Sequence, residues 1–236
     1  MRAVVDFHSH ILPGIDDGSA SVEESIKLLQ LEMEQGIKHV VATPHFYANY
    51  DSPQHFLRRR AAAEQLLREA TSAHAGLPEV TVGAEVYYFP GISESELLKQ
   101  LTIGGKRCIL IEMPHAPWSK AMYRDLEGIY VKQGLTPVIA HVDRYIAPFR
   151  TMGIPEQLAD LPVIVQANAD FFLDRPTSRM AMRMLRREQI QLLGSDCHNL
   201  KDRPPNLGSA IEKIRKKLGD EALERIESYQ MDILEM

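Results

Sequence analysis

Two histidines one residue apart close the first apolar run of the chain, VVDFHSHILPGIDDG at 4–18, and Asp16 and Asp17 follow them in a glycine-containing turn. Residues i and i+2 of a β-strand share a face, so Asp6, His8 and His10 are expected to project together, opposite Val5 and Phe7. Paired imidazoles chelate a cation, and carboxylates a few positions on can turn back toward the same point. The chemistry then recurs. His45 follows the run at 39–43, Glu85 ends the run at 80–85, Glu112 ends that at 108–112, His141 that at 137–141, and Asp196 and His198 follow the run at 190–194. Of the nine histidines, five occupy such positions. His39 begins a run instead, His55 and His74 fall on a solvent-facing helix, and His115 falls in a loop after the fourth run. Five histidines and four carboxylates exceed what one ion needs. Nitrogen and oxygen donors without thiolate suit Mn²⁺, Fe²⁺, Zn²⁺ or Co²⁺, and a pair of ions about 4 Å apart is a common device for attacking phosphorus.

The elements that must position these residues alternate between short β-branched runs and longer amphipathic stretches. Ser21 and Glu24 make a capping box, Val22, Ile26, Leu29 and Met33 form one apolar stripe, and Gly36 supplies the stop. Ser52-Pro53 opens a long helix toward Gly76, and another helix through Leu126 and Ile129 ends at Gly134. With the run at 163–168, which delivers no histidine or carboxylate, seven strands alternate with helices. That pattern implies parallel pairing. An open doubly wound sheet fits the alternation, but seven units favour an α/β barrel whose active site sits at the C-terminal ends of the strands. No linker or composition shift divides the chain, so one domain over 1–236 is expected.

Composition narrows the class further. The formal net charge is −5, which argues against a nucleic-acid binder, and Arg58–Arg60 and Arg186–Arg187 read as solvated helix faces. Two cysteines make no disulfide framework. Asp6 and His8 interrupt the first apolar run, so no signal peptide is expected. No run reaches the roughly 20 apolar residues of a membrane span. A cytoplasmic protein without direct membrane insertion is the expectation.

At this point the chain resembles a known family. DFHSH, IDDG, ATPH, the Glu85 and Glu112 strand ends, AHVDRY and SDCHNLKDRPP follow the motif order of the PHP (polymerase and histidinol phosphatase) superfamily. More narrowly, the chain is similar to the manganese-dependent protein-tyrosine phosphatases of bacterial capsular and exopolysaccharide synthesis. The resemblance implies a distorted (β/α)₇ barrel with a trinuclear site. His8, His10, Glu85 and Asp196 would hold one ion, Glu85 would bridge to a second completed by Glu112 and His141, and Asp17, His45 and His198 would hold the third. Arg144 in HVDRY and Arg203 in NLKDRPP would bind the phosphate. Three divalent ions, four carboxylates and a bridging hydroxide sum to about +1, which suits a phosphate dianion. In-line attack by that hydroxide on phosphotyrosine is the implied mechanism, with no phospho-enzyme intermediate.

The same resemblance suggests a membrane-associated tyrosine kinase as the phosphotyrosine substrate. A histidinol-phosphate or other small-molecule phosphomonoesterase of the superfamily would share the ligands, and the sequence leaves oligomeric state open. Cys197 lacks the Cys-x₅-Arg loop of cysteine phosphatases and is expected to pack. Phe46, Tyr47, Tyr50, Tyr87, Tyr88 and Phe89 crowd the expected rim as a slot for a phosphotyrosine ring, and His115 and Trp118 fall in a loop overlooking it.

Overall fold

The β-branched pair Val4-Val5 and Phe7 favour the extended backbone of β1 (Val4–Ser9), from which a computed structural model describes residues 4–146 and 153–235. Helix α1 (Val22–Glu34) leads to β2 (Ile37–Ala42) and β3 (His45–Phe46), and α2 (Pro53–Thr71) to β4 (Glu79–Val82) and β5 (Glu85–Tyr87). Three short 3₁₀ turns between Ile92 and Gly105, rather than an α-helix, connect to β6 (Cys108–Glu112). The chain continues through α3 (Lys120–Gln133), β7 (Thr136–Ile139), α4 (Asp143–Ile146), α5 (Ile154–Ala159) and β8 (Ile164–Asn168). It ends with α6 (Ala169–Leu173), α7 (Ser178–Arg186), β9 (Leu192–Gly194), α8 (Leu207–Leu218) and α9 (Asp220–Glu235).

Every strand pair is parallel. β2 and β3 are halves of one path broken at Thr43-Pro44, where proline has no N–H to give, and β4 and β5 are halves of another broken at Gly83-Ala84. Backbone bonds stitch both breaks, Gly83 N–H to Ala42 O at 2.8 Å and Glu85 N–H to Pro44 O at 3.0 Å. The nine segments therefore trace the seven expected barrel positions. The curled sheet meets itself where Asp196 N–H donates to His8 O (2.7 Å) and His10 N–H to Cys197 O (2.9 Å).

Val5, Phe7, Val41, Leu110, Val138, Ala140 and Leu192 fill the interior, and Ile233 of α9 packs against them. Gln230 of α9 bonds both the N–H and the carbonyl of Val5, satisfying the backbone there. Outside, Leu28, Phe56, Leu67, Leu126, Ile129 and Ile214 bury the helices against the sheet, each worth about 1.5–3 kcal/mol of transfer energy. No helix among the described residues is long and apolar enough to cross a membrane.

Three local expectations change. Helix α1 is capped by Ser21, but Glu24 reaches Ala20 N–H (3.0 Å) instead of the cap's own N–H. Its buried residues are Ser25, Ile26, Leu28, Leu29 and Glu32, so Ile26 and Leu29 lie inside as expected while Val22 and Met33 are half-buried. Asp6 is the reason Glu32 lies inside. The register of β1 on β2 shifts between Asp6 and Ser9, so Asp6 does not join His8 and His10. Its carboxylate accepts from Ser195 N–H (2.8 Å) and Ser195 Oγ (2.5 Å) and faces Glu32. Burial and the facing Asp6 push Glu32 well above the usual carboxylate range, so Glu32 carries the proton of a buried acid pair. Finally, α2 ends at Thr71, which leaves His74 in the turn beyond it.

Candidate metal centre

All nine expected ligands converge at the C-terminal rim. His8 and His10 at the end of β1 present their Nε2 atoms 3.1 Å apart. Glu85 Oε2, from the start of β5, lies 3.4 Å from both, and Asp196 Oδ1 lies 3.6 and 3.4 Å from them. Glu85 also reaches His45 Nδ1 at 2.9 Å and, through Oε1, His141 Nε2 at 2.8 Å. Glu112 stands 3.9 Å from His45 and 3.8 Å from His141. Asp17, on the turn after β1, faces His45 Nε2 at 3.5 Å and His198 Nε2 at 3.6 Å. Donor atoms group as His8–His10–Glu85, as His10–Asp17–His45–His198, and as His45–Glu85–Glu112. His45 thus stands between the second and third implied sets, and Glu85 touches four of the five histidines.

The ring orientations are set in part by Gln166 and Asn168, which the sequence did not single out. The N–H of His141 donates to Gln166 Oε1 (2.6 Å), which fixes that oxygen as an acceptor. His8 Nδ1, 3.3 Å from the same oxygen, must then carry its proton, and Nε2 presents a lone pair. Asp16 does the same for His10 Nδ1 (2.9 Å), and the Asp196 carbonyl for His198 Nδ1 (2.9 Å). Gln166 Nε2 donates to Asn168 Oδ1 (3.0 Å), and Asn168 Nδ2 donates to Asp196 Oδ2 (2.8 Å), so a polar ladder on β8 joins His8 to Asp196. The available signal was two polar residues at i and i+2 in the otherwise apolar Ile164–Asn168. Glycine admits the close approaches. A Cβ on Gly194 would lie 2.6 Å from His8 Cβ, and one on Gly18 would lie 2.2 Å from His10 O. His141 (φ 29°) and Asp196 (φ 55°) themselves sit in the left-handed region, a strain of the kind that collects at functional sites.

The electrostatics are those of a cation-seeking pocket. Burial alone would lower His8 and His10, but the facing carboxylates outweigh it. Asp16, Asp196 and Glu85 hold His10 well above its ordinary value, and Glu85 and Asp196 raise His8. Burial dominates at His141 and His198 and pushes both down to about 4. Despite their own burial, Glu85 and Asp196 are held well below the carboxylate range by the surrounding histidines. Burial and the neighbouring Glu85 push Glu112 up to about 7.

These residues fit divalent metal. The Nε2 lone pairs of His8 and His10 face each other, an arrangement that only a proton or a metal ion relieves. Among the described residues, ten buried side-chain polar atoms make no hydrogen bond, and five of them belong to this set: His45 Nδ1, Glu85 Oε2, Glu112 Oε2, His141 Nδ1 and His198 Nε2. Such orphaned groups are costly unless something ligates them.

Arg144, at the start of α4, and Arg203 both reach Asp196 Oδ2, at 2.5 and 2.7 Å, while their side chains stay 30% and 37% exposed. Asn199 Oδ1 accepts from the N–H groups of Lys201 and Asp202, folding the loop that carries Arg203. The expected aromatic slot is smaller than its roster. Phe46 is buried against Phe56 at 5.0 Å, Tyr88 is buried with its hydroxyl donating to Asp125 (2.7 Å), and Phe89 packs on the core. Tyr47, Tyr50 and Tyr87 remain at the rim. His115 is exposed, its ring 5.8 Å from Tyr145, against which Trp118 also packs. Cys197 is buried, and burial raises its thiol well above the ordinary value, so it packs and does not attack.

Known proteins resemble this chain in sequence and in fold. The profile of the capsular polysaccharide synthesis CpsB/CapC family matches residues 4–234. The tyrosine-protein phosphatase CpsB of Streptococcus pneumoniae is 30% identical over 232 residues, covering 92% of this chain and 91% of its own. The tyrosine-protein phosphatase YwqE of Bacillus subtilis is 28% identical, with 92% and 86% covered. A solved structure from work on B. subtilis YwqE and S. pneumoniae CpsB, described there as unique metal-dependent tyrosine phosphatases, superposes with a TM-score of 0.86 at 23% identity. It covers 98% of this chain and 94% of its own.

Proposed function

The chain belongs to the capsular polysaccharide synthesis CpsB/CapC family, and from that premise we infer that it is a metal-dependent protein-tyrosine phosphatase of capsule synthesis. The observation that carries the reading is the rim itself, where five histidines and four carboxylates face one another and five of the nine leave a buried polar atom without a hydrogen bond. His8, His10, Glu85 and Asp196 would hold one ion, Glu85, Glu112 and His141 a second, and Asp17, His45 and His198 a third. Mn²⁺ is the ion we assign, on the resemblance to manganese-dependent phosphatases; the oxygen-and-imidazole donor set accepts it along with Fe²⁺, Zn²⁺ and Co²⁺. Bound there, divalent ions supply Lewis-acid charge and lower the pKa of an attacking water.

The protein's own residues do the rest. Asp16 and Gln166 keep the Nδ1 protons of His10 and His8 away from the centre. Arg144 and Arg203 each spend one nitrogen on Asp196 and keep further N–H donors for the phosphoryl oxygens, where a guanidinium fork matches the geometry. The phenolate of tyrosine leaves without a dedicated acid, being a comparatively stable anion. The substrate we assign is a phosphotyrosine segment of a membrane-associated tyrosine kinase.

The test is hydrolysis of a phosphotyrosine peptide beside histidinol phosphate. Chelation should abolish the first and Mn²⁺ restore it, and Asp196→Ala should lose metal and turnover together. Full activity in a metal-free preparation would sink the reading.

A further inference from the structure

A cavity of about 500 Å³ adjoins the centre at His45 and Asp17, and neither phosphate-binding arginine lines it. Its walls carry two tyrosine rings, Tyr47 and Tyr50, and at the side of the centre two carboxylates, of which Asp16 bonds His10 Nδ1 (2.9 Å) and Asp17 faces His45 and His198 (3.5 and 3.6 Å). Tyr47 stands beside His45 (ring centroids 5.4 Å apart) and Tyr87 (5.5 Å) in tilted contacts, and Tyr50 meets it edge-on at 6.3 Å. Tyr50 is 90% exposed, the most exposed of the large apolar side chains described.

The far wall carries charges that satisfy one another. Asp51 accepts from Arg59 Nη2 (2.6 Å) and pairs with His55 Nδ1 (2.7 Å), and Arg59 Nη1 donates to Ile15 O (2.7 Å). Recognition in this cavity therefore falls to ring faces and not to a free charge. An aromatic ring stacking on a positioned aromatic gains energy beyond the area it buries, and such a group must enter beside the reacting centre.

We propose that this cavity is the aryl subsite of the enzyme, in which the phenyl ring of phosphotyrosine packs on Tyr47 with Tyr50 at its outer edge. The proposal rests on the phosphotyrosine reading above and deepens it. The phosphoryl group lies toward Arg144 and Arg203, and the ring extends past His45 into the cavity. The space left around one ring holds the residues flanking it in a polypeptide, which makes the subsite one for protein substrates.

The ring's contribution is read with two unreactive phosphate mimics, phenylphosphonate and methylphosphonate, titrated calorimetrically into Mn²⁺-loaded protein. The wild-type protein should prefer the phenyl compound. That preference should fall roughly tenfold in Tyr47→Ala and persist in Tyr47→Phe, which keeps the ring. Tyr50→Ala, whose exposed side chain holds nothing else in place, should reduce it by a few-fold. Metal content and thermal melting of each variant show that the centre is intact. Should Tyr47→Ala fail to fold, an undiminished preference in Tyr50→Ala overturns the proposal alone. Equal affinity for the two phosphonates in the wild-type protein, or an undiminished preference in a folded Tyr47→Ala, also overturns it while phosphotyrosine hydrolysis stands. Failure of the wild-type protein to hydrolyse a phosphotyrosine peptide would instead fell the functional reading.

Discussion

Replacing Gln166 by leucine separates a ligand from the group that aims it. The amide makes three contacts: it accepts from His141 N–H at 2.6 Å, faces His8 Nδ1 at 3.3 Å, and donates to Asn168 at 3.0 Å. Leucine fills a similar volume and makes none of them. The buried His141 N–H is then unsatisfied, at about 1–3 kcal/mol. For a domain of this size that corresponds to a melting temperature lower by roughly 2–10 °C in the metal-free protein. His8 also loses the acceptor that fixes its tautomer. Loss of such an outer partner weakens metal binding by about 10–100-fold, or roughly 1.4–2.7 kcal/mol. The assay is competition for Mn²⁺ against a chromogenic chelator, run beside phosphotyrosine-peptide turnover across a Mn²⁺ titration. The activation midpoint should move to higher metal while turnover at saturation largely returns. Gln166→Glu, which keeps both acceptor contacts and loses only the donor to Asn168, should hold metal far better than the leucine variant. A leucine variant with the wild-type metal midpoint would show that β1 alone aims His8 and would refute the argument.

Other perturbations probe separate parts of the centre. Arg144→Ala and Arg203→Ala should keep their metal and fold yet lose about 10²–10³ in kcat/KM, with poor rescue by Arg144→Lys; near wild-type turnover would reduce both residues to partners of Asp196. His8 and His10 hold raised pKa values in the folded protein, so the folded state of the metal-free chain binds protons more tightly there than the unfolded chain does. This stabilisation is complete below the unfolded value of about 6.5 and fades as pH rises through the folded values. Melting of chelated protein should accordingly weaken from pH 6 toward pH 9, and divalent metal should remove the decline; a flat profile without metal would contradict it. Gly194→Ala places a Cβ 2.6 Å from His8 Cβ and 3.0 Å from His8 N. It should destabilise by about 1–3 kcal/mol and weaken metal binding as His8 shifts, whereas an unchanged melt would show that β9 has room to give.

The barrel and the ligand roster were legible because they repeat. Each strand announces itself by β-branched residues, and in six of the seven runs a histidine or carboxylate follows at the same end, so His45, Glu85, Glu112 and His141 can be read by position alone. What stayed hidden depends on register and on three-dimensional neighbours. Strict alternation places Asp6 with His8 and His10, but one shift in the pairing of β1 sends it to Ser195 and Glu32. Glu32 lies outside the apolar stripe that the sequence shows, and its buried partner Asp6 accounts for its place inside. Gln166 and Asn168 were passed over because neither titrates, although both orient groups that do. Among the aromatics, sequence proximity to the rim could not separate Phe46, which packs inward on Phe56, from Tyr47, which follows it and turns outward.

The seam where the sheet meets itself has a consequence for the chain as a polymer. His10 and His198 lie on its two sides with ring centroids 3.9 Å apart, although 188 positions separate them in sequence. Every other junction of the barrel joins segments much nearer along the chain; this one ties the beginning to the end. A link that closes so long a loop removes about 5 kcal/mol of entropy from the unfolded ensemble in the chain-entropy account. Ligation across the seam would therefore act as a reversible cross-link as well as a catalytic device. Stripped of metal, the protein should keep its strands yet open first along β1 and β9, and amide exchange at Ser9, His10, Asp196 and Cys197 would report that opening before any other part of the sheet lets go.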